Sequence, residues 1–232
     1  MAGALQKPAV ILFDVGNTLS YLDHSELSHI ASQVGVPVSA SALASAEAVA
    51  KRRYEQSLRQ GKSHESGWLL YMQAIFEAAG LAESEAALAA EAAKAAHARF
   101  NLWRKVPDGL LLGLARARAL GLRLGIVSNS EGALMDLLDR VGLSPHFETV
   151  VDSGLEGVRK PDPAIFQLAL TRMGIRSSEG VLYVGDIPEV DVVDARAAGL
   201  DAVLIDTLDH YPDYNEAPRF RSVLALLEAL GV

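Results

Sequence analysis

A run of four apolar residues, Val10 to Phe13, ends on a lone acid, Asp14, and then on Gly16, Asn17 and Thr18. No other stretch constrains the fold as tightly. A short, unbroken apolar run with β-branched members, stopped by turn formers, reads as a strand buried on both faces. The acid therefore falls at the C-terminal end of a sheet strand, the edge at which open α/β sheets bind their ligands. Gly16 and Asn17 both tolerate positive φ, so the chain can turn sharply and aim backbone groups back toward Asp14. A carboxylate held there is a candidate nucleophile or metal ligand. On this stretch alone, an Asp that caps a turn after a core strand remains the plain alternative.

From Val106 the chain alternates helix and strand. Pro107-Asp108-Gly109 opens a predicted helix to Leu120, and Leu122–Val127 reads as a second buried strand ending in Ser128-Asn129-Ser130. A helix over Glu131–Val141 precedes a short strand, Glu148–Val151, which ends at Asp152-Ser153-Gly154. A helix over Asp162–Met173 carries Pro163 in its first turn, where proline is tolerated. Val181–Val184 is a strand ending in Gly185-Asp186, and Val190–Ala198 a helix closed by Gly199. Ala202–Ile205 is a fifth strand and Phe220–Leu230 a last helix. Such alternation predicts an α/β fold: a parallel sheet of five or more strands, flanked by helices on right-handed crossovers. The Asp14 strand is expected in the middle, between the strands that lead to Ser128 and Asp186.

Residues 20–105 have a different character. They are rich in Ala, Glu, Ser and Gln, show no strand pattern, and are cut by Gly35-Val36-Pro37, Gly61 and Gly80 into four predicted helical pieces. The last, Ser84–Trp103, is strongly Ala-rich and opens on Ser84-Glu85, a good helix start. A helical block between two strands looks like an inserted bundle. Trp68, Tyr71 and Phe76 fall on or near one helical face, as packing residues do.

Charge and composition narrow the partners. A formal net charge of −8 argues against nucleic acid and against an anionic membrane surface. The basic run Lys51-Arg52-Arg53 has helical neighbours and reads as a solvated helix face. There is no cysteine, which excludes disulfides, zinc–thiolate sites and a cysteine nucleophile, and suits a reducing, cytoplasmic setting. MAGALQKPA, ahead of Val10, is too short and too weakly apolar for a signal peptide, and Arg116, Arg118 and Arg123 interrupt the most apolar long stretch. The histidines show no metal-ligand spacing, and neither a G-x-S-x-G elbow nor a G-x-x-x-x-G-K-[ST] loop occurs.

Polar residues follow several strands at the same sheet edge: Asp14, Ser128 with Asn129, and Asp186. Lys160 lies in Arg159-Lys160-Pro161-Asp162-Pro163, a loop stiffened by two prolines. Taken together, FDVGNTL, GIVSNS, KPDPAIF and VLYVGDIPEVDVVDARAAG resemble the four motifs of the haloacid dehalogenase-like hydrolase superfamily, in the right order. The resemblance implies a Rossmann-like core over residues 1–19 and 106–232, with residues 20–105 as a helical cap. It implies that Asp14 is the nucleophile, that Ser128 and Asn129 hydrogen-bond the transferring phosphoryl group, and that Lys160 neutralises both. It also implies a Mg²⁺ site made of Asp14, the backbone carbonyl of Gly16, Asp186 and Asp191. The substrate so implied is a small phosphate ester, recognised by the cap; Arg52, Arg53, Tyr54 and His64 are possible contacts. Oligomeric state is not readable.

One position departs from the pattern. Phosphatases of this superfamily carry a second Asp two residues after the nucleophile, which protonates the leaving oxygen; here that place is Gly16. Loss of a general acid costs about 10²- to 10⁴-fold. His24, Asp23 and Glu26 are the nearest titratable residues in sequence. The expected activity is a Mg²⁺-dependent phosphatase, weakened at this step. The alternatives are a 2-haloacid dehalogenase, since a halide needs no proton, and a non-catalytic phosphate- or metal-binding protein.

Overall fold

A computed structural model describes residues 7–60 and 64–232. The chain divides into two compact units, one ending at Tyr21 and resuming over Arg104–Val232, the other Leu22–Trp103. In chain order the elements are strands β1 (Val10–Phe13) and β2 (Tyr21–Leu22), then helices α1 (His24–Gln33), α2 (Ala40–Arg59), α3 (His64–Ala78) and α4 (Glu83–His97). Next come β3 (Trp103–Lys105), α5 (Leu110–Ala119), β4 (Arg123–Ser128), α6 (Leu134–Arg140), β5 (Thr149–Asp152), α7 (Ser153–Glu156) and α8 (Ala164–Arg172). The chain closes with β6 (Val181–Gly185), a π-helical turn over Pro188–Val192, α9 (Val193–Ala197), β7 (Asp201–Ile205), β8 (Arg219–Phe220) and α10 (Val223–Ala229).

Among the described residues, six strands of the first unit form one sheet in the order β5-β4-β1-β6-β7-β8, with parallel neighbours throughout. The Asp14 strand lies between those leading to Ser128 and Asp186, as the sequence predicts. Phe13 pairs with Ile126 on one side and Val184 on the other, so the three strands end nearly level. Ile11, Leu12 and Phe13 are fully buried, and each such side chain stabilises the fold by about 1.5–3 kcal/mol. Alternate residues of each strand serve opposite faces. Val10, Leu12, Val127, Val151 and Tyr183 share one face and pack with Ile165 and Phe166 of α8 and Ala195 of α9.

Several boundaries differ from the sequence expectation, most instructively three in the first unit. The helix predicted from Glu131 begins only at Leu134, because the preceding residues are held by a neighbouring strand end. The helix predicted from Phe220 begins at Val223: Arg219 and Phe220 extend the sheet as β8, and the Ser222 hydroxyl accepts the Ala225 amide as an N-cap. The helix predicted over Val190–Ala198 starts as the π-helical turn and becomes α-helical at Val193.

The second unit is helical. Trp68, Tyr71 and Phe76 of α3 are buried in its core, the packing role expected of them. The Ala-rich α4 buries Ala86, Ala89, Ala90 and Ala93, one stripe at helical spacing. It stops at His97, short of the predicted Trp103, and the chain is then turned by the Leu102 amide donating to His97 Nδ1 and the Trp103 amide to the Asn101 side chain. Two of the possible substrate contacts expected from the sequence have partners within this unit. Arg53 pairs with Glu77 at 2.5 Å, and the Tyr54 ring meets Tyr71 edge-on. The side chain of His64 lies outside the described residues.

Candidate active site

At the end of β1 the Asp14 amide donates to Val184 O at 2.8 Å, which carries the sheet ladder one residue past the strand. The chain then folds back tightly. The Val15 carbonyl accepts the amides of Leu19 and Ser20, the Asn17 amide donates to Ser20 O, and Asn17 takes the left-handed conformation at φ 56°. Gly16 sits in this turn and bridges to Ser20. Asp14 is thereby held at the sheet edge with its carboxylate turned to the neighbouring strand ends.

Its Oδ1 accepts two hydrogen bonds, from Ser128 Oγ at 3.0 Å and from Lys160 Nζ at 2.9 Å. The buried ammonium of Lys160 also donates to Asp191 Oδ1 at 2.6 Å and to the Tyr183 hydroxyl at 2.8 Å, which uses all three of its protons. Tyr183 in turn donates a hydrogen bond to Val127 O at 2.8 Å. Asn129 works on the lysine from behind: its amide nitrogen donates to Lys160 O, and its amide oxygen accepts the Lys160 N–H. The side chain of Asn129 is therefore committed to the lysine backbone.

Asp191 is the second hub. Its Oδ2 accepts the amides of Asp186 and Ile187, both at 2.9 Å, while Oδ1 holds the lysine. Its carboxylate lies so close to β6 that a Cβ at Gly185 would collide with it, which is the physical reason for glycine there. The π-helical turn that carries Asp191 widens the helix start and directs the side chain inward. Turns of this kind are frequent at functional sites.

Electrostatics follow from burial. Loss of water, with added repulsion from Asp191 and Asp186, pushes the Asp14 carboxyl up to about 6 against the pull of Lys160. Burial works against the Lys160 ammonium too, but the Asp14 and Asp191 carboxylates outweigh it and hold it well above the usual lysine value. Burial raises the Tyr183 phenol well above its usual value, so it stays a neutral donor.

Asp14, Ser128, Lys160 and Asp191 thus meet in one hydrogen-bonded cluster, with Asn129 fixing the lysine, the Asp186 amide fixed on Asp191, and Gly16 in the adjoining turn. Asp23 and His24 are engaged elsewhere: Asp23 caps α1 through the Glu26 amide, and His24 Nε2 lies 3.0 Å from Glu47. Two residues were not singled out from the sequence. Tyr183 could have been, since a phenol inside an apolar strand needs a buried partner. Asp194, on α9, is also buried; its carboxyl is raised to about 6 by burial and by Asp191.

A divalent metal suits the donor set. Asp14, Asp186 and the carbonyl of residue 16 offer only oxygens, and two carboxylates, Asp14 and Asp191, share the ammonium of Lys160. No group of three histidine or acidic side chains that could cage a metal is gathered among the described residues. Mg²⁺, which is held by one or two carboxylates together with water and substrate oxygens, needs no such cage.

Known proteins agree with this architecture. Residues 8–199 match the haloacid dehalogenase-like hydrolase family. The chain is 33% identical over 205 residues to the bovine (Bos taurus) haloacid dehalogenase-like hydrolase domain-containing protein 3, spanning 84% of this chain and 81% of the relative. It is 30% identical over 197 residues to a glyceraldehyde 3-phosphate phosphatase of Methanopyrus kandleri, spanning 84% and 82%. A crystal structure of the HAD-hydrolase YfnB from Bacillus subtilis, bound to magnesium, superposes with a TM-score of 0.70 over 98% of this chain and 100% of its own, at 20% identity. With the sheet order, the edge cluster and these matches in agreement, the chain belongs to the haloacid dehalogenase-like hydrolases.

Proposed function

We propose that the protein is a Mg²⁺-dependent phosphatase of small phosphate esters, with Asp14 as nucleophile. The observation that carries this reading is the lysine shared between Asp14 and Asp191, with Ser128 on the same Asp14 oxygen. Phosphoryl transfer asks mainly for positioning and charge neutralisation, and this cluster supplies both. An Asp14 oxygen attacks phosphorus as the ester P–O bond breaks, giving an aspartyl-phosphate and an alkoxide that leaves as the alcohol on taking a proton from solvent. Water then hydrolyses the aspartyl-phosphate to inorganic phosphate and free Asp14. Lys160 balances the charge gathered on the transferring group, and Ser128 hydrogen-bonds it. Asp14, Asp186 and the Gly16 carbonyl would hold Mg²⁺. Asp191, expected from the resemblance as a further ligand, has its Oδ1 on Lys160 and its Oδ2 on the Asp186 and Ile187 amides, and in this reading steadies the Asp186 backbone instead. The metal would supply further neutralisation of phosphoryl oxygens. Residues 22–103 serve as the substrate-selecting cap. The phosphatase relative from Methanopyrus supports a phosphorylated substrate.

A panel of phosphorylated metabolites, assayed for phosphate release with Mg²⁺ and with chelator, tests the reading. Release that depends on Mg²⁺ is expected, and release unaffected by chelation would overturn it.

Gly16 has no proton to give the leaving oxygen. That favours good leaving groups, and it is a feature a dehalogenase would share, since a halide needs no proton. Gly16→Asp is expected to speed hydrolysis of an alkyl phosphate about tenfold, below the 10²–10⁴ of a well-placed acid, and to help an activated aryl phosphate less. A folded Gly16→Asp protein with no gain on alkyl esters, whose parent releases halide from a 2-haloacid, would replace the phosphatase reading with the dehalogenase one.

A further inference from the structure

We infer that Asp152 and Ser153, at the end of β5, are positioning residues that lock the Ser128–Asn129 loop in its working geometry. This rests on the phosphatase reading, since it assigns a task to a loop that reading places against the phosphoryl group. The starting point is the sheet register, in which Ser128 of β4 pairs with Asp152 of β5. The two strands end side by side, and the residues just past Ser128 lie over the end of β5.

Asp152 is only 2% exposed, yet its carboxylate faces backbone amides rather than a cation. Oδ1 accepts the amides of Gly132 at 3.1 Å and Gly154 at 2.9 Å, and Oδ2 accepts that of Leu134 at 3.1 Å. The Ser153 hydroxyl accepts the Ser130 amide at 3.1 Å and donates to the Ser130 carbonyl at 3.2 Å. Gly154 completes the contact: a Cβ there would collide with the backbone of Glu131 and Gly132. Every second residue from Ser130 to Leu134 is thus tied to the end of β5. The segment so tied directly follows the residues whose side chains bond Asp14 and the Lys160 backbone.

The bonds are of a kind whose loss is felt at a distance. A carboxylate accepting backbone amides makes charge-assisted bonds about twice as strong as neutral ones. A reacting group displaced by about 1 Å can lose about 10²-fold in rate. If the clamp loosens, Ser128 and Asn129 keep their chemistry but not their fixed place, so the loss falls on the chemical step rather than on substrate capture.

Two variants test this. Ser153→Ala removes both bonds to Ser130 and little else. Asp152→Asn retains one accepting oxygen but turns an N–H toward the Leu134 amide. With Mg²⁺ and p-nitrophenyl phosphate, kcat is expected to fall about tenfold in Ser153→Ala and about 10- to 100-fold in Asp152→Asn, with KM within about threefold. Amide hydrogen exchange should accelerate about tenfold or more at Ser130 in the first variant and at Gly132 and Leu134 in the second, while Leu12 and Val184 of the central strands stay protected. Unchanged exchange at the loop, unchanged kcat with accelerated exchange, or a rise confined to KM overturns the inference. Should Asp152→Asn fail to fold, Ser153→Ala decides alone. A parent protein that releases no phosphate from any ester defeats the functional reading instead. The clamp is then judged by inorganic phosphate binding in the presence of Mg²⁺: weakening of about tenfold in Ser153→Ala upholds it, and equal affinity overturns it.

Discussion

Asp14→Asn is expected to reduce Mg²⁺-dependent phosphate release by at least about 10⁴-fold while leaving the protein folded. The amide is nearly isosteric, so the hydrogen bonds from Ser128 and Lys160 to Oδ1 retain an acceptor. What is lost is the anionic oxygen that, in the proposed mechanism, attacks phosphorus. Stability should not fall with activity, and the sign of the pKa shift says why. The folded Asp14 carboxyl is raised to about 6 from 3.8, mainly by burial. Its contribution to stability is therefore fully present below the unfolded value near 3.8 and is lost as pH rises through about 6. At pH 7.5 the ionised carboxylate is a destabilising element that a neutral amide removes. The metal-free variant should unfold in urea at or above the parent midpoint at pH 7.5, and lose that advantage toward pH 4. A variant that retains parental, Mg²⁺-dependent turnover would show that the nucleophile lies elsewhere.

Much of this site is readable in the sequence because three of its members end or follow strands at the same edge. Asp14, Ser128 and Asp186 are marked by a polar residue abruptly ending an apolar run, and a parallel sheet converts that local pattern into proximity. Lys160 follows no strand and shows only as a cation just ahead of two prolines; motif order, rather than periodicity, singles it out. The parts that stay hidden depend on pairs distant in sequence. Tyr183 looks like any core aromatic until β6 places its hydroxyl against Lys160 and Val127 O. Asp152 looks like a strand-ending acid until the register sets it beside Ser128.

The same non-local contacts explain the shifted boundaries. Glu131 and Ala133 have helical propensity, but Gly132 between them takes φ 91° and the Gly132 and Leu134 amides are already bonded to Asp152, so the helix starts later. β8 is two residues long, too short to leave a periodic signal, and exists because the Leu204 and Asp206 amides find carbonyl partners at Pro218 and Phe220. Asn129 was legible as a site residue through its motif, but its use was not. Only the folded chain shows its amide closing a reciprocal pair with the Lys160 backbone.

Lys160→Met is expected to lower kcat by about 10²- to 10³-fold, the usual loss when one electrostatic stabiliser of a transition state is removed. Methionine fills much of the stem's volume, so the change isolates the charge. Unlike Asp14→Asn, it should also destabilise the protein. The lysine is 4% exposed and supplies the ammonium that Asp14 and Asp191 share. Removing one partner from such a buried group leaves carboxylates uncompensated and costs about 3–5 kcal/mol. The pH dependence separates this from simple loss of packing. In the parent, the lysine's folded pKa lies well above its usual value, so its stabilising contribution is fully present below that usual value and is lost only in strong alkali. The lysine itself therefore stays charged between pH 5 and pH 8, and what changes over that range is the ionisation of Asp14. In the variant, Asp14, already raised to about 6 with the lysine present, rises further without it, and protonation at pH 5 relieves the repulsion. The deficit against the parent, measured by urea unfolding in chelator, should be largest at pH 8 and clearly smaller at pH 5. A deficit equal at the two pH values would mean that lost packing, not uncompensated charge, governs the site.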